Sequence, residues 1–292
     1  MQTQKQGWIV INNLHTTSPK FVDSVNAFKR ACKQNDVLLE VKTNFDFVNI
    51  LDGNFVRPDF VLFWDKDIRL AKELEALGIR VFNNATAIDE CNDKFVTYLK
   101  LLNSGIPMPK TIIAPMVYYP QEWQNTNFIT DVEKSLKYPM VAKECFGSFG
   151  KQVFLCNNRQ ELIEVINNFA KRPFLLQEFI HTSVGKDLRL QVVGDKVVAT
   201  MMRYNDNDFR ANVTNGGKML NYQPTMAQID MALKACKLLS LDFGGVDILF
   251  GKDGAPVLCE INSNAHFINL SNCTGVDVAD CIVKYVLEEI SK

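Results

Sequence analysis

The sequence predicts an α/β protein in which a small parallel sheet with flanking helices precedes regions of antiparallel character. Three observations predict this. Apolar strand-like runs alternate with helical segments from Gly7 to about Pro115, as strand–helix–strand crossovers require. From Tyr138 to about His181, two strand patterns flank a glycine loop and lead into a helix and a further strand. Beyond residue 183, paired apolar runs are joined by short polar turns, the signature of hairpins. The expected organisation is three subdomains, residues 1–114, 115–182 and 183–292, and a chain of 292 residues can bury that many cores.

The elements follow in order. WIVIN opens, a helix near Phe21 to Lys33 follows, and VLLEV is a second strand. FVLFW (Phe60 to Trp64), a helix around Ile68 to Leu77 and the strand IRVFN come next. A longer helix, roughly Ala87 to Asn103, is stopped by Ser104-Gly105-Ile106-Pro107. Met116 to Lys137 shows no clear period and receives no assignment. The later helix of the glycine-loop region spans about Arg159 to Ala170. DLRLQVVGDKVVATMMR reads as a hairpin turning at Gly194-Asp195, and a helix from about Met226 to Leu239 precedes a second hairpin. A last amphipathic helix covers about Val276 to Ile290.

Composition bounds the function. Hydrophobic content of 47%, charged content of 22% and a net charge of -1 describe a soluble globular chain. There is no basic excess to attract nucleic acid and no apolar run long enough for a membrane span or signal peptide. The eight cysteines form no C-x-x-C pair, so reduced thiols in a cytoplasmic protein are expected rather than disulfides or zinc.

The stretch VDILFGKDGAPVLCEIN carries an acid inside each of two apolar strands, which is costly unless something neutralises them. A type I′ turn at Asp253-Gly254 places Asp247 directly opposite Glu260, with β-carbons about 5 Å apart. Strand alternation puts Asn262 on the same face opposite Gly245, and Val246, Ile248, Cys259 and Ile261 on the core face. Two carboxylates and an amide oxygen are hard donors suited to Mg²⁺. A carboxyl pair sharing one proton, with Asn262 capping a turn, is the alternative.

YPMVAKECFGSFGKQVFL places Lys143 in an apolar strand before Gly147-Ser148-Phe149-Gly150. It is neither a Walker A loop nor G-x-G-x-x-G, but glycines between strands permit a flap whose N–H groups fold over phosphates. An ordinary flexible hairpin with a snorkelling lysine is the alternative. PFLLQEFI ends its strand in Gln177-Glu178, where backbone groups could meet an adenine edge. Asp187, Arg189, Arg203, Arg210 and Asn212 form a polar series, with Arg210 in the glycine-bounded FRANVTNGG, where a planar fork can grip carboxylate or phosphate.

The order of these segments carries more than any one of them. Lys143 with GSFGKQV, then QEFI, DLRLQVVGDKVVATMMR, FRANVTNGG, and GVDIL with CEIN resemble the ATP-grasp enzymes, specifically ribosomal-protein glutamate ligases of the RimK type. The resemblance extends over nearly the whole chain, and NDKFVTYLKLLNSGIPMPKT resembles the segment in which a helix lysine, here Lys94, precedes a G-I-P-x-P turn. It implies an ATP-grasp fold: an N-terminal parallel α/β subdomain, a central glycine-flap lid and a C-terminal antiparallel-sheet subdomain. It implies ATP held by Lys94, Lys143, the flap residues Gly147, Ser148 and Gly150, the segment Gln177, Glu178, Phe179 and Ile180, and Asp187. Arg203 and Arg210 would act on the reacting groups, with Arg210, Ala211 and Asn212 lining the phosphate and acyl side. Asp247, Glu260 and Asn262 would hold two Mg²⁺ ions, with Mn²⁺ as a substitute.

The implied reaction joins a small-molecule, peptide or protein carboxylate to an amine or amino acid through an acyl phosphate, glutamate being one such amino acid. The resemblance also points to a homo-oligomer, a dimer or tetramer. Two rival readings are an ATP-grasp kinase and a nucleotide-binding regulatory protein without turnover. Where the family continues N-x-S-P-G, this chain has Asn262-Ser263-Asn264-Ala265-His266, on the acceptor side. His266 is expected either to titrate near neutrality and take a proton from the amine, or to be a bystander.

Overall fold

The computed structural model describes residues 4–292, apart from Asn49, Asn54, Pro120, Gln121, residues 124–126 and Phe149. Its first sheet contains β1 (Lys5–Ile11), β2 (Val37–Thr43), β3 (Phe60–Phe63) and β4 (Val81–Phe82), in the order β2-β1-β3-β4 and wholly parallel. Helices α1 (Pro19–Gln34) and α2 (Ile68–Ala76) connect them. β3 is buried along its whole length because helices cover both faces of a parallel sheet.

The predicted helix from Ala87 to Asn103 is two helices, α3 (Ala85–Asn92) and α4 (Lys94–Leu101). Asp93 breaks it: its backbone is extended, and its carboxylate accepts from the Phe95 N–H at 2.8 Å to cap the second helix. The Lys94 N–H, left outside the first helix, donates to the Cys145 carbonyl at 3.0 Å. The break therefore fastens α4 to the next unit.

The second sheet is antiparallel, in the order β5 (Thr111–Ile113), β8 (Phe174–Glu178), β6 (Met140–Glu144) and β7 (Val153–Cys156). Helices α5 (Phe128–Ser135) and α6 (Arg159–Phe169) cover it through a core that includes Ile129, Val132, Leu162, Ile166 and Phe169. Within the stretch that received no sequence assignment lies α5, an eight-residue helix.

The third sheet runs β11 (Lys218–Asn221), β10 (Lys196–Tyr204), β9 (Lys186–Val193), β12 (Phe243–Phe250), β13 (Pro256–Asn262), again antiparallel. Helix α7 (Met226–Leu238), opened by a Thr225–Gln228 capping box, links the two hairpins. The last helix, α9, begins at Val278 rather than Val276, and a short helix α8 (Ile268–Thr274) precedes it. No helix among the described residues is long and apolar enough to cross a membrane.

The first and third sheets share one core. Phe28 of α1 and Trp64 after β3 pack edge-on against Phe267, and Trp64 stacks on Phe243 at 5.9 Å. Asn83, fully buried after β4, is the polar pin of this junction. Its amide donates to the Phe243 and Ser263 carbonyls at 2.9 Å each, and its oxygen accepts from the Asp242 and Phe243 N–H groups. The start of β12 and the loop after β13 are thereby held at one point, which sets where Asn262 stands.

Candidate active site

The third sheet is two-faced. Leu188, Leu190, Val192, Val246, Ile248 and Ile261 point into a core with α7. Alternation puts Asp187, Arg189, Arg203, Asp247, Glu260 and Asn262 on the other face, where Arg189, Arg203, Glu260 and Asn262 line a cleft of about 410 Å³ and Asp187 and Asp247 are buried against the arginines. Asp247 pairs directly with Glu260 and Gly245 with Asn262, as the turn argument requires. Gly245 is needed there, since a Cβ on it would come within 2.5 Å of the Ala265 Cβ.

The route to that register is longer than a simple hairpin. The turn at Lys252–Ala255 has positive φ at Asp253 and Gly254 and an Ala255 N–H to Lys252 carbonyl bond of 3.0 Å, the type I′ form. Phe250 then pairs with Pro256 and Ile248 with Leu258, one step out of phase, until an irregularity beyond Asp247 restores the original phase. Two offsets cancel. Cys259 is the residue passed over, so it is not a core residue on the Val246 face; it borders an inner slot with Lys143.

The acids are neutralised by the protein itself. Arg189 grips Asp247 with Nε and Nη2 at 2.6 Å each, and Arg203 grips Asp187 the same way at 2.7 Å. Arg203 Nη2 also reaches the Asp247 carboxylate at 3.0 Å. Burial pushes the Asp247 carboxyl upward, but the two guanidiniums outweigh it and hold the group below the usual carboxylate range. Glu260 is met instead by Lys94 at 3.3 Å. In this structure, then, the facing acids belong to a set of four ion-paired groups and a lysine bridge. Arg189 was recognised only as a polar residue. The signal was its i,i+2 spacing from Asp187, but which strand it faced depended on sheet order.

Lys94 Nζ also approaches the Gly147 carbonyl at 3.4 Å, so α4, the glycine loop and β13 converge on one ammonium. Lys143 and Gln177 line an inner slot of about 40 Å³ with Lys94, Glu260 and apolar residues such as Leu175 and Leu258. Gly147, Ser148 and Gly150 border the cleft, as does Asn212, while Phe149 lies outside the described residues. Gly150 has φ 69°, and an added Cβ would stand 2.8 Å from Asn212 Oδ1.

Several expected contacts fall elsewhere. Glu178 donates its N–H to the Lys110 carbonyl and accepts the Lys110 N–H on its carboxylate, because β8 continues to pair there. Phe179 packs against His181 and Phe209, Ile180 opens a short turn, and of the four residues Gln177–Ile180 only Gln177 lines the slot. Asp187 is buried and its carboxylate accepts both hydrogen bonds from Arg203. Arg210 does not present an open fork: it binds Asp208 and donates to the Gly150 and Val153 carbonyls at 2.8 and 3.3 Å, strapping the flap's base. Ala211 beside it is buried.

His266 lines the cleft edge-on to Phe21. Burial, with Lys20, Arg189 and His15 adding positive charge nearby, depresses its imidazole to about 4. That shift leaves the imidazole neutral near pH 7 and a weaker proton acceptor than the one expected from an ordinary histidine. The cleft's first-sheet wall, including Trp64, Asp65 and Lys66, was not foreseen. It lies at the carboxyl end of a parallel strand, a usual place for ligand groups in such sheets.

With this geometry in view, comparison with known proteins is direct. The RimK-like ATP-grasp domain family matches residues 91–286. The chain is 28% identical to uncharacterized protein MG012 of Mycoplasma genitalium, over 95% of this chain and 98% of that one. It is 32% identical to beta-citrylglutamate synthase B of Danio rerio, over 76% of this chain and 54% of the synthase. The match to human N-acetylaspartylglutamate synthase A is also 32%, over 76% and 56%, so the shared region spans about half of each synthase. Among solved structures, D-alanine–D-alanine ligase from Bacillus anthracis superposes with TM-score 0.76 at 16% identity, covering 98% and 99% of the two chains. A RimK domain ATP-grasp protein from Sphaerobacter thermophilus gives 0.68 at 18%, covering 97% and 99%.

Proposed function

This chain belongs to the RimK-like ATP-grasp family, whose members are carboxylate–amine ligases, and from that premise we propose that it joins an amino acid, glutamate first among candidates, to a carboxylic acid. Two relatives named for glutamate conjugates support the choice of glutamate. The observation that supports the proposal is the polar face of the third sheet, where Glu260 and Asn262 share a cleft with the flap glycines and Lys94, Lys143 lines the adjoining slot, and Asp247 pairs across the ladder with Glu260.

In this reading the inner slot takes the base of ATP, and Lys143 and Lys94 meet its phosphates. The flap's N–H groups close over them while Arg210 holds the flap's root. The acid's carboxylate attacks the γ-phosphoryl group, ADP leaves, and the amine then displaces phosphate from the acyl carbon. Phosphoryl transfer needs alignment and charge more than a protein nucleophile, so the absence of a Ser or Cys triad from this reading is no obstacle. Three hard oxygen donors on one face fit Mg²⁺, and the Asn262 amide nitrogen is buried with no partner among the described residues. Asp247, Glu260 and Asn262 would hold the two ions, which when bound supply positive charge to the phosphates. Arg189 and Arg203 would then exchange Asp247 for anionic substrate oxygens.

The test is to incubate the protein with ATP, Mg²⁺, glutamate and a panel of carboxylic acids, then to measure ADP and mass-analyse products. A product heavier than its acid by one glutamate residue is expected. Hydroxylamine replacing glutamate should give a hydroxamate, because it intercepts an acyl phosphate. ADP release with neither amide nor hydroxamate would sink the ligase reading in favour of a kinase.

A further inference from the structure

Three lysines stand in sequence along the site. Lys143 lines only the inner slot, Lys94 lines both slot and cleft, and Lys66 lines only the cleft. The first two lie where the proposed function puts nucleotide phosphates. Lys66 arrives from the opposite wall, in the loop between β3 and α2, and nothing in the reaction described above uses it.

The backbone of that loop is fixed. Asp65 accepts from the Lys66 N–H at 2.7 Å and from Asn12 at 3.2 Å, and its carbonyl accepts from Asn264 at 2.8 Å. The Lys66 carbonyl accepts from the Ile68 N–H at 3.0 Å. Only the side chain is uncommitted: among the described residues its ammonium has neither a hydrogen-bond nor an ion-pair partner. Its neighbours do not compensate it. Arg189 and Arg203 are matched by Asp247 and Asp187, and Glu260 is matched by Lys94. Although Lys66 is exposed to the cleft, the walls crowd it, and burial together with the Lys94 charge lowers its proton affinity despite Glu260 nearby. An ammonium placed beside a second ammonium is stabilised by an anion, and Glu260 and Asp65, the carboxylates whose charge favours it, form no ion pair with it among the described residues.

We infer that Lys66 is a specificity-determining residue that binds a second anionic group, a carboxylate, on the acid substrate while the reacting carboxylate faces the γ-phosphate. This rests on the ligase reading and adds to it a residue and a substrate class: an acid with at least two carboxylates rather than a monocarboxylic acid. The position argues for carboxylate over phosphate. In the proposed function Lys143 and Lys94 already meet the phosphates, whereas Lys66 enters the cleft from the loop after β3, beside Trp64 and Asp65, and is left for the acid.

The experiment is calorimetric titration of the full chain, loaded with Mg²⁺ and a non-hydrolysable ATP analogue. Succinate, citrate and N-acetylaspartate are compared with propionate and butyrate, in the native protein, Lys66→Met and Lys66→Arg. Native protein should bind at least one di- or tricarboxylate ten-fold or more tightly than the monocarboxylates. Lys66→Met should erase that preference while changing analogue affinity less than two-fold, and Lys66→Arg should keep much of it. Equal loss of analogue affinity in Lys66→Met would make Lys66 a phosphate ligand and overturn the inference. So would native protein that binds the analogue without discriminating among the acids, or a preference that survives in Lys66→Met. Native protein that fails to bind the analogue at all would overturn the ligase reading, and this inference with it.

Discussion

Arg189→Met tests the electrostatics of the cleft floor. The substitution removes both hydrogen bonds that Arg189 makes to Asp247, at 2.6 Å each, and leaves that carboxylate with only the 3.0 Å contact from Arg203. The Arg189 and Asp247 side chains are 13% and 5% exposed, so water replaces little of the loss. Breaking one side of a buried pair costs about 3 to 5 kcal/mol, and the surviving Arg203 contact places this case near 3. For a chain of this size that corresponds to a fall in Tm of roughly 5 °C. The vacated side of Asp247 should also accept a cation more readily. Mg²⁺ at a hundred times its Kd would return about 2.7 kcal/mol, most of the loss, without nucleotide. In the native protein a metal bound at Asp247 as proposed would first have to displace a guanidinium, so the same Mg²⁺ should stabilise it less. Differential scanning calorimetry with and without Mg²⁺, and Mn²⁺ binding followed by electron paramagnetic resonance, read both effects. If Arg189→Met melts with the native protein, or binds Mn²⁺ no more tightly, the arginine does not hold Asp247 in solution and the reasoning fails.

Glu260→Ala should abolish Mg²⁺-dependent turnover and lower stability by about 1 kcal/mol, because it strands Lys94; a rise in Tm would restore the picture of two repelling acids. Gly150→Val combines a φ of 69° with a clash at Asn212, so it should cost about 1 to 3 kcal/mol and abolish nucleotide protection of the flap in limited proteolysis. His266→Gln should leave the pH dependence of amide formation between pH 6 and 9 unchanged, since an imidazole near 4 is already neutral there. Its depressed value contributes stability present above the ordinary 6.5 and lost as pH falls toward 4, so the variant's acid unfolding limb should be flatter than the native one. Asp242 runs the other way. Burial raises it to about 6 although Arg80 opposes this, so its contribution is present below the ordinary 3.8 and lost as pH rises through 6. Asp242→Asn should therefore stabilise the protein at pH 7.5 and not at pH 4; equal melting shifts at both would show that Asp242 keeps its ordinary titration.

What could be read from the sequence was whatever depended on neighbours along the chain. Strand alternation in β9 and β10, the turn at Gly194-Asp195 and the facing of Asp247 and Glu260 all follow from local pattern and turn chemistry, and all appear in the structure. The helix break at Asp93 was missed because its apolar period continues across it. The cause is a tertiary bond, the Lys94 N–H to the Cys145 carbonyl, together with a cap that only the broken form can use. The same limit explains why the arginine partners of Asp247 were not legible in the sequence. Its partner Arg189 stands 58 residues earlier on β9, and that strand reaches β12 only after β10, β11 and α7 have intervened.

This limit also shapes the chemistry of the floor. The polar face of the third sheet is balanced before any ligand arrives: Arg189 and Arg203 answer Asp247 and Asp187, and Lys94 answers Glu260. A cation entering at Asp247 or Glu260 must therefore release a positively charged side chain, and that side chain then has reason to bind the phosphate or carboxylate arriving with the metal. If the proposed ions bind there, metal and anionic substrate would be coupled through exchange of partners, so Mg²⁺ alone should bind weakly and Mg²⁺ with nucleotide strongly. Lys66 sits outside this exchange because it forms no ion pair among the described residues, although Glu260 and Asp65 lie near it. Its affinity for an anion should therefore depend much less on metal than that of Arg189, and raising Mg²⁺ at fixed nucleotide should sharpen nucleotide binding far more than the preference for dicarboxylates.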